Sequence, residues 1–170
     1  MRIRKTLILV LAAAMCLSAA ASDILDDAKR KPAGPSVTLL TTSPVAVKAG
    51  RAQNFELIFR VGRGYHINSN KPNSEFLIPT VLKISAPTDV AIGRLQYPAG
   101  QDFAFDFAPG EMINVYSGDF SITGVITTTR NVVPGKHRVR GSLTYQACDN
   151  RQCFPPKQLP VEFDVAVARR

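Results

Sequence analysis

The sequence has no tryptophan, only three cysteines and three methionines, and an aromatic content of 8% in 170 residues. It shows no sustained glycine or heptad period, which excludes collagen-like and coiled-coil proteins. It also has no internal repeat and no run of five like charges. A hydrophobic content of 45% excludes a disordered chain, and the length fits one domain with one core.

The first twenty-one residues have the features of an export signal. Arg2, Arg4 and Lys5 precede an uncharged run that ends in small residues at Ala19 and Ala21. The pattern predicts a signal peptide over residues 1–21, cleaved after Ala21. An uncleaved anchor is disfavoured because a spanning helix needs about 20 apolar residues.

Cleavage changes both the charge and the cysteine count. The formal charge of +8 falls to +5, because three basic residues and no acidic ones are lost. The remaining basic residues are scattered, which favours a solvated surface over nucleic-acid binding. Cys16 is lost as well, so the mature chain keeps Cys148 and Cys153 in an oxidising compartment where they can pair.

The mature chain reads as all-β. Residues 22–36 form a polar leader, and from Val37 onward apolar residues alternate with polar ones, as in Phe55, Leu57 and Phe59. Turn signals recur about every ten residues. We therefore predict seven to nine strands in an immunoglobulin-like antiparallel β-sandwich over residues 37–168, without the core tryptophan of antibody domains.

The two cysteines lie at a predicted hairpin tip, separated by four residues that begin with Asp149. A disulfide closing so short a loop stabilises the fold by only about 2 kcal/mol, against about 4.7 kcal/mol for a 100-residue loop. Strand phase points Ala147 inward and Cys148 to the polar face with Gln146, where a partner thiolate could reach it. This favours a redox-active pair. An inert hairpin disulfide in a binding or assembly module is the alternative.

Residues next to the cysteines are expected to affect the stability of a thiolate and the rigidity of the loop. Arg151 would favour a nearby thiolate, while Asp149 would oppose it. Phe154 and Pro155 fix the exit from the loop, since proline locks φ and removes a backbone donor.

Residues 145–156, which run from Tyr145 through both cysteines to two prolines, resemble the active-site segment of the N-terminal domain of the thiol:disulfide interchange protein DsbD. Residues 64–68 (GYHIN), 77–80 (LIPT) and 115–118 (VYSG) are similar to further segments of that family. The resemblance covers residues 37–168. The cysteine segment is its most specific part, although its four-residue loop is one residue shorter than in some members.

The resemblance implies a periplasmic, immunoglobulin-like domain that carries reducing equivalents without a metal or organic cofactor. Its partners would be a thioredoxin-like domain reduced through a transmembrane protein, and periplasmic disulfide isomerases or cytochrome c maturation thioredoxins. Cys153 would form mixed disulfides with partners, and Cys148 would resolve them. No electron channel lies within these 170 residues, so we expect the domain either to take electrons from a separate protein or to serve a different reducing system, and the direction of electron flow stays open.

The family also shields its cysteines with an aromatic cap loop, which residues 102–110 match best. We assign Phe105, Asp106 and Phe107 to this cap, with one of the two rings over the sulfurs. The same period-two phenylalanines fit a buried strand equally well.

The two histidines give no metal-ligand spacing. His66 is best interpreted as a structural histidine with satisfied hydrogen bonds. A Cu(I) site from the cysteines and a histidine is chemically possible, but only Met112 would remain of the methionines that such sites favour.

Overall fold

The computed structural model describes residues 36–41 and 43–169. The predicted signal peptide and, apart from Ser36, the predicted leader lie outside these residues. Within them the secondary structure consists of strands. The strands are β1 (Val37–Leu39), β2 (Val45–Lys48), β3 (Ala52–Val61), β4 (His66–Asn68), β5 (Val81–Ser85), β6 (Val90–Ile92), β7 (Gln101–Ala104), β8 (Met112–Tyr116), β9 (Asp119–Thr128), β10 (Gly135–Tyr145), β11 (Ala147–Cys148) and β12 (Lys157–Ala168).

The long strands follow the predicted alternation. In β3, Phe55, Leu57, Phe59 and Val61 are buried at 4% exposure or less, while the residues between them are exposed. Burying each such side chain contributes about 1.5–3 kcal/mol, which the strand gains only if every second residue faces inward.

Two four-stranded sheets form the sandwich. The first sheet has the order β1-β3-β9-β6 and the second has β2-β12-β10-β5. Their inner faces meet in one cluster, the main core, in which Phe55 of β3 stacks on Phe163 of β12 at 5.5 Å between ring centroids. The predicted all-β, immunoglobulin-like sandwich is confirmed.

Two details differ from the prediction. The described residues contain twelve strands rather than seven to nine, because several short strands have too few residues to show an alternation. One pairing is parallel: β2 runs alongside the end of β12, with Val45 opposite Val165. The other paired strands are antiparallel.

A third sheet, with the order β11-β4-β8-β7, lies where β3 and β10 end. The chain passes from β10 into β11 through Gln146, whose carbonyl accepts a hydrogen bond from Asn68 N at 3.1 Å. Successive side chains then point to opposite faces. Ala147 consequently joins the main core, while Cys148 joins a separate cluster on the other side.

Two glycine turns place the strands of the third sheet. Gly64 (φ 79°) precedes β4, and Gly118 (φ 62°) follows β8. Both angles lie in the left-handed region that glycine adopts without a steric penalty. These angles account for the glycines of the GYHIN and VYSG segments. Val61 N, at the end of β3, donates to Gly118 O at 2.9 Å and holds the second turn against that strand.

No helix among the described residues is long and apolar enough to cross a bilayer.

Candidate functional site

The two cysteines form a disulfide across a narrow hairpin. Cys148 and Cys153 are direct antiparallel partners, and their Cα atoms are 3.9 Å apart. Backbone hydrogen bonds flank the pair: Phe154 N donates to Ala147 O at 2.8 Å, and Asp149 N donates to Gln152 O at 2.9 Å. The cysteines thus occupy a non-hydrogen-bonded position, where opposed side chains approach most closely.

Asp149 builds the turn of this hairpin. Its Oδ1 accepts hydrogen bonds from Arg151 N at 2.8 Å and from Gln152 N at 2.9 Å. A carboxylate that accepts bonds from the next backbone N–H groups replaces a backbone turn. The hairpin is therefore organised by Asp149 as well as by the disulfide.

The two sulfur-bearing residues differ in exposure. Cys148 is completely buried, whereas Cys153 is partly exposed. The prediction that Cys148 is accessible is wrong. The predicted strand alternation is nevertheless correct, because the Cys148 side chain points to the face opposite that of Ala147. The face to which it points is covered by the β7–β8 hairpin, and strand periodicity carries no information about such a cover.

The cover is a second apolar cluster. Its buried members are Phe105, Ile113, Val115 and Cys148; Leu77, Phe103, Ala108 and Cys153 pack against it. Burial in such a cluster excludes water from the buried sulfur.

Residues 102–110 combine the two structures that the sequence left open. Phe103 lies in strand β7, and Phe105 follows directly after the strand ends. Asp106 is exposed and Phe107 is 36% exposed, in the turn toward β8. Phe105 lies in the cluster of Cys148, whereas Phe107 packs on Phe105 at 5.0 Å between ring centroids.

His66 is the direct cross-strand neighbour of Cys148 in the pairing of β4 with β11. Its ring packs on Phe103 at 4.1 Å and meets the edge of Phe105 at 5.5 Å. Burial lowers the pKa of His66, because an apolar environment disfavours the imidazolium. Its Nδ1 is buried without a hydrogen-bond partner among the described residues, so the prediction that the hydrogen bonds of His66 are satisfied is wrong for this atom.

The remaining predicted residues support the hairpin. Tyr145 is buried, and its hydroxyl accepts a hydrogen bond from Val37 N at 3.3 Å. Phe154 meets Tyr65 edge to face at 5.8 Å. Arg151 and Pro155 are exposed.

Hydrogen bonds of Gln146, which was not among the predicted site residues, connect the base of the cysteine hairpin to neighbouring segments. Gln146 Nε2 donates to Phe154 O at 3.2 Å, and Gln146 Oε1 accepts from Asn68 Nδ2 at 3.1 Å and from Ile78 N at 3.3 Å. It joins the cysteine hairpin to β4 and to residues 77–80. The sequence marks Gln146 only as part of the cysteine motif. Its hydrogen-bond role could not be predicted, because its partners are 68 and 78 residues away in the chain.

Among the residues that the structure describes, no group of three His, Cys, Asp or Glu side chains could hold a metal ion.

The family described as "Thiol:disulfide interchange protein DsbD, N-terminal" matches residues 36–164. No curated protein is a significant match to the sequence.

Similar solved structures include two from Neisseria meningitidis. The DsbD N-terminal domain in the reduced form is 23% identical, with 65% of this chain and 74% of that chain covered and a TM-score of 0.41. The complex between the DsbD N-terminal and PilB N-terminal domains gives 22% identity, 65% and 73% coverage and a TM-score of 0.40. A type I cohesin–dockerin complex from Clostridium thermocellum gives 15% identity, 78% and 99% coverage and a TM-score of 0.42.

Proposed function

The chain belongs to the family of the N-terminal domain of the thiol:disulfide interchange protein DsbD, and we propose that it carries reducing equivalents to other exported proteins through Cys148 and Cys153. Thiol–disulfide exchange is the activity that the family and the disulfide support together. The predicted signal peptide supports a periplasmic location for this activity.

The observation that carries the proposal is the unequal burial of a disulfide in a four-residue hairpin. Exchange requires an incoming thiolate to reach one sulfur in line with the disulfide bond. The partly exposed Cys153 is the sulfur that a partner can approach, and the buried Cys148 is protected from every thiol except its neighbour. This asymmetry supports Cys153 as the residue that forms mixed disulfides and Cys148 as the residue that resolves them.

The exchange proceeds in two balanced steps. The Cys153 thiolate of the reduced domain attacks a partner disulfide, forms a mixed disulfide and releases one partner thiolate, which takes up a proton. The Cys148 thiolate then attacks Cys153 Sγ, forms the intramolecular disulfide and releases the second partner thiolate. The partner gains two electrons, and the cysteine pair loses two.

Phe105, Asp106 and Phe107 form the shield in this proposal. The cluster around Phe105 keeps small thiols from the disulfide, and the turn that carries Asp106 and Phe107 moves aside when a partner docks. Docking and reactivity are thereby linked, which limits the loss of electrons to unrelated disulfides and the reduction of the pair by unrelated thiols.

We propose a thioredoxin-like protein, reduced through a transmembrane reductase, as the donor. Periplasmic disulfide isomerases or thioredoxins of cytochrome c maturation are the proposed acceptors. The neisserial relative is found in complex with another protein domain, that of PilB.

The test is the reduction potential of the pair combined with trapping of a mixed disulfide. Structural disulfides lie below about −300 mV, and exchange pairs lie above that value. We expect a potential above it, and Cys148→Ala should accumulate a Cys153-linked mixed disulfide with a thioredoxin-like protein in vivo. The matched variant Cys153→Ala should trap far less, because its remaining thiol is buried.

A potential well below about −300 mV, together with no trapped species in Cys148→Ala, would instead indicate the inert hairpin disulfide.

A further inference from the structure

We propose that His66 is the proton acceptor for the Cys148 thiol in the resolving step. The inference rests on the proposed function, since it concerns the second step of the exchange. It assigns chemistry to a side chain that the sequence suggested was structural.

The register of the third sheet brings the two residues together. His66 and Cys148 are direct partners of adjacent antiparallel strands, so their side chains leave the same face of the sheet. Cβ atoms in such pairs lie about 4.5–5.5 Å apart. The imidazole also packs on Phe103 and Phe105, which belong to the apolar cluster that contains Cys148.

The buried Nδ1 atom of His66 has no hydrogen-bond partner among the described residues of the oxidised protein. A buried polar atom without a hydrogen bond is costly to a fold, and such an atom in a native structure calls for an explanation. In the disulfide, Cys148 has no proton to donate. In the reduced protein the S–H group of Cys148 becomes the missing donor. His66 Nδ1 therefore gains a hydrogen-bond partner when the cysteine pair is reduced.

His66 also has a route to solvent. It lines an open surface cavity together with Gly62, Tyr65 and Gly118, while its Nδ1 is buried. The residue thus stands between the buried sulfur and water, as a group that passes protons must.

Several ionisable groups around His66 are already engaged by other partners. In the cavity, Arg60 and Asp119 bond to each other at 2.6 and 2.7 Å. On β7, Asp102 accepts hydrogen bonds from Asn73 and Asn114. The carboxylate of Asp149 is engaged by its own turn, and burial is the cause that lowers the pKa of His66. The other ionisable side chains on the surrounding elements are Arg63, Tyr65, Asp106, Glu111, Tyr116 and Arg151.

The chemistry needs a base because the thiol is buried. Apolar surroundings raise the pKa of a cysteine, so little thiolate forms unaided near neutral pH. A lowered pKa keeps His66 neutral there, with a nitrogen able to take a proton. The Cys148 proton moves to Nδ1, the thiolate attacks Cys153 Sγ, and the partner sulfur leaves with the electron pair. The imidazolium then releases its proton to solvent through the cavity.

The experiment follows the reaction of the reduced protein with Ellman's reagent across pH. The attack of Cys153 releases one aromatic thiolate, and resolution by Cys148 releases a second. In the wild type we expect the second step to be nearly independent of pH at and above neutrality and to slow only under more acidic conditions, because burial lowers the pKa of His66 below its usual value. In His66→Phe it should be about tenfold slower at neutral pH and rise about tenfold per pH unit, because only the spontaneous thiolate fraction reacts.

Three further variants separate proton transfer from packing and provide a control. His66→Asn keeps a hydrogen-bond acceptor that does not titrate near neutral pH, so its second step should also rise with pH. His137→Phe removes the other histidine, whose ring bonds Val133 O on the exposed surface, and should behave as the wild type. Millimolar imidazole should partly restore the second step in His66→Ala.

A His66→Phe variant that is slower at every pH by the same factor, with the wild-type profile, would overturn the inference and leave His66 as a packing residue. A wild type whose second release equals that of Cys148→Ala would show that the cysteines do not act as a pair, and would overturn the proposed function with it.

Discussion

The rings of Phe105 and Phe107 pack with centroids 5.0 Å apart, yet only one of them is buried. Phe105 is 3% exposed within the cluster of Cys148, and Phe107 is 36% exposed on its outer side. The two rings therefore form an inner and an outer layer of the proposed shield. Their contributions to reactivity and to stability should differ accordingly.

We expect Phe105→Ala to raise the rate at which a small thiol such as dithiothreitol reduces the disulfide by about tenfold, equivalent to about 1.4 kcal/mol in the barrier. The inner ring leaves a cavity that admits the thiol. Phe107→Ala should raise the rate less, because Phe105 remains in place. Stopped-flow reduction measures both.

Phe76→Ala serves as the control, since Phe76 is 87% exposed and its loss should leave the rate unchanged. Unchanged rates in both the Phe105 and the Phe107 variants would contradict the shield.

Individual residues also show which features of the site could be predicted from the sequence. The buried positions Leu57 and Phe59 could be predicted, because local alternation fixes which residues share a face. The proximity of His66 and Cys148 could not, because it depends on a register between strands 82 residues apart in the chain. Residue type identified the cysteines, but the burial of Cys148 depends on a hairpin contributed by other parts of the sequence.

At the scale of the element, the cysteine hairpin is organised by hydrogen bonds as well as by its disulfide. Asp149 accepts two backbone hydrogen bonds within the four-residue loop, and Gln146 fixes the base of the hairpin. Holding the two thiols close raises their effective concentration, which favours the disulfide.

Asp149→Ala should therefore destabilise the disulfide relative to the dithiol. Losing acceptors for two backbone donors at an exposed turn costs about 1 kcal/mol, which corresponds to a rise of about 20 mV in reduction potential. Equilibration with glutathione at known ratios measures this shift.

Asp149→Asn is the matched variant. It removes the same charge but keeps the accepting oxygen, so its potential should lie closer to the wild type. Equal shifts in the two variants would show that charge, rather than the turn, sets the potential.

The short elements were the hardest to predict. Strands β4 and β11 have three and two residues, too few for a period to appear, and β11 is separated from β10 by Gln146 alone. From the sequence, the cysteines sat at the tip of one long hairpin. In the structure the chain changes sheets there, because Gln146 and Asn68 connect β11 to β4 instead of prolonging the second sheet.

At the scale of the whole molecule, the main core and the cysteine cluster are separate. The main core includes residues from both large sheets, whereas the cysteine cluster draws mainly on the third sheet and residues near it. The sandwich should therefore fold without the disulfide.

Reduction should lower the free energy of unfolding by only about 2 kcal/mol, the loop-closure value for six residues. Urea unfolding of the oxidised and reduced wild type, with equal slopes in denaturant, measures the difference. A reduced protein that fails to fold would contradict this expectation and favour the structural-disulfide alternative.

The division between Ala147 and Cys148 has a consequence for how such domains diversify. Neighbouring residues of β11 belong to different clusters. Substitutions in the cysteine cluster are therefore expected to affect partner binding without disturbing the main core. Residues 101–115 could drift toward a new partner while the inward face of the scaffold stays fixed, since Tyr116, the next residue, belongs to the main core. Exchanging that stretch between homologues should accordingly transfer partner preference. We expect this segment to vary with the partner, while the rest of the sandwich varies with the descent of the fold.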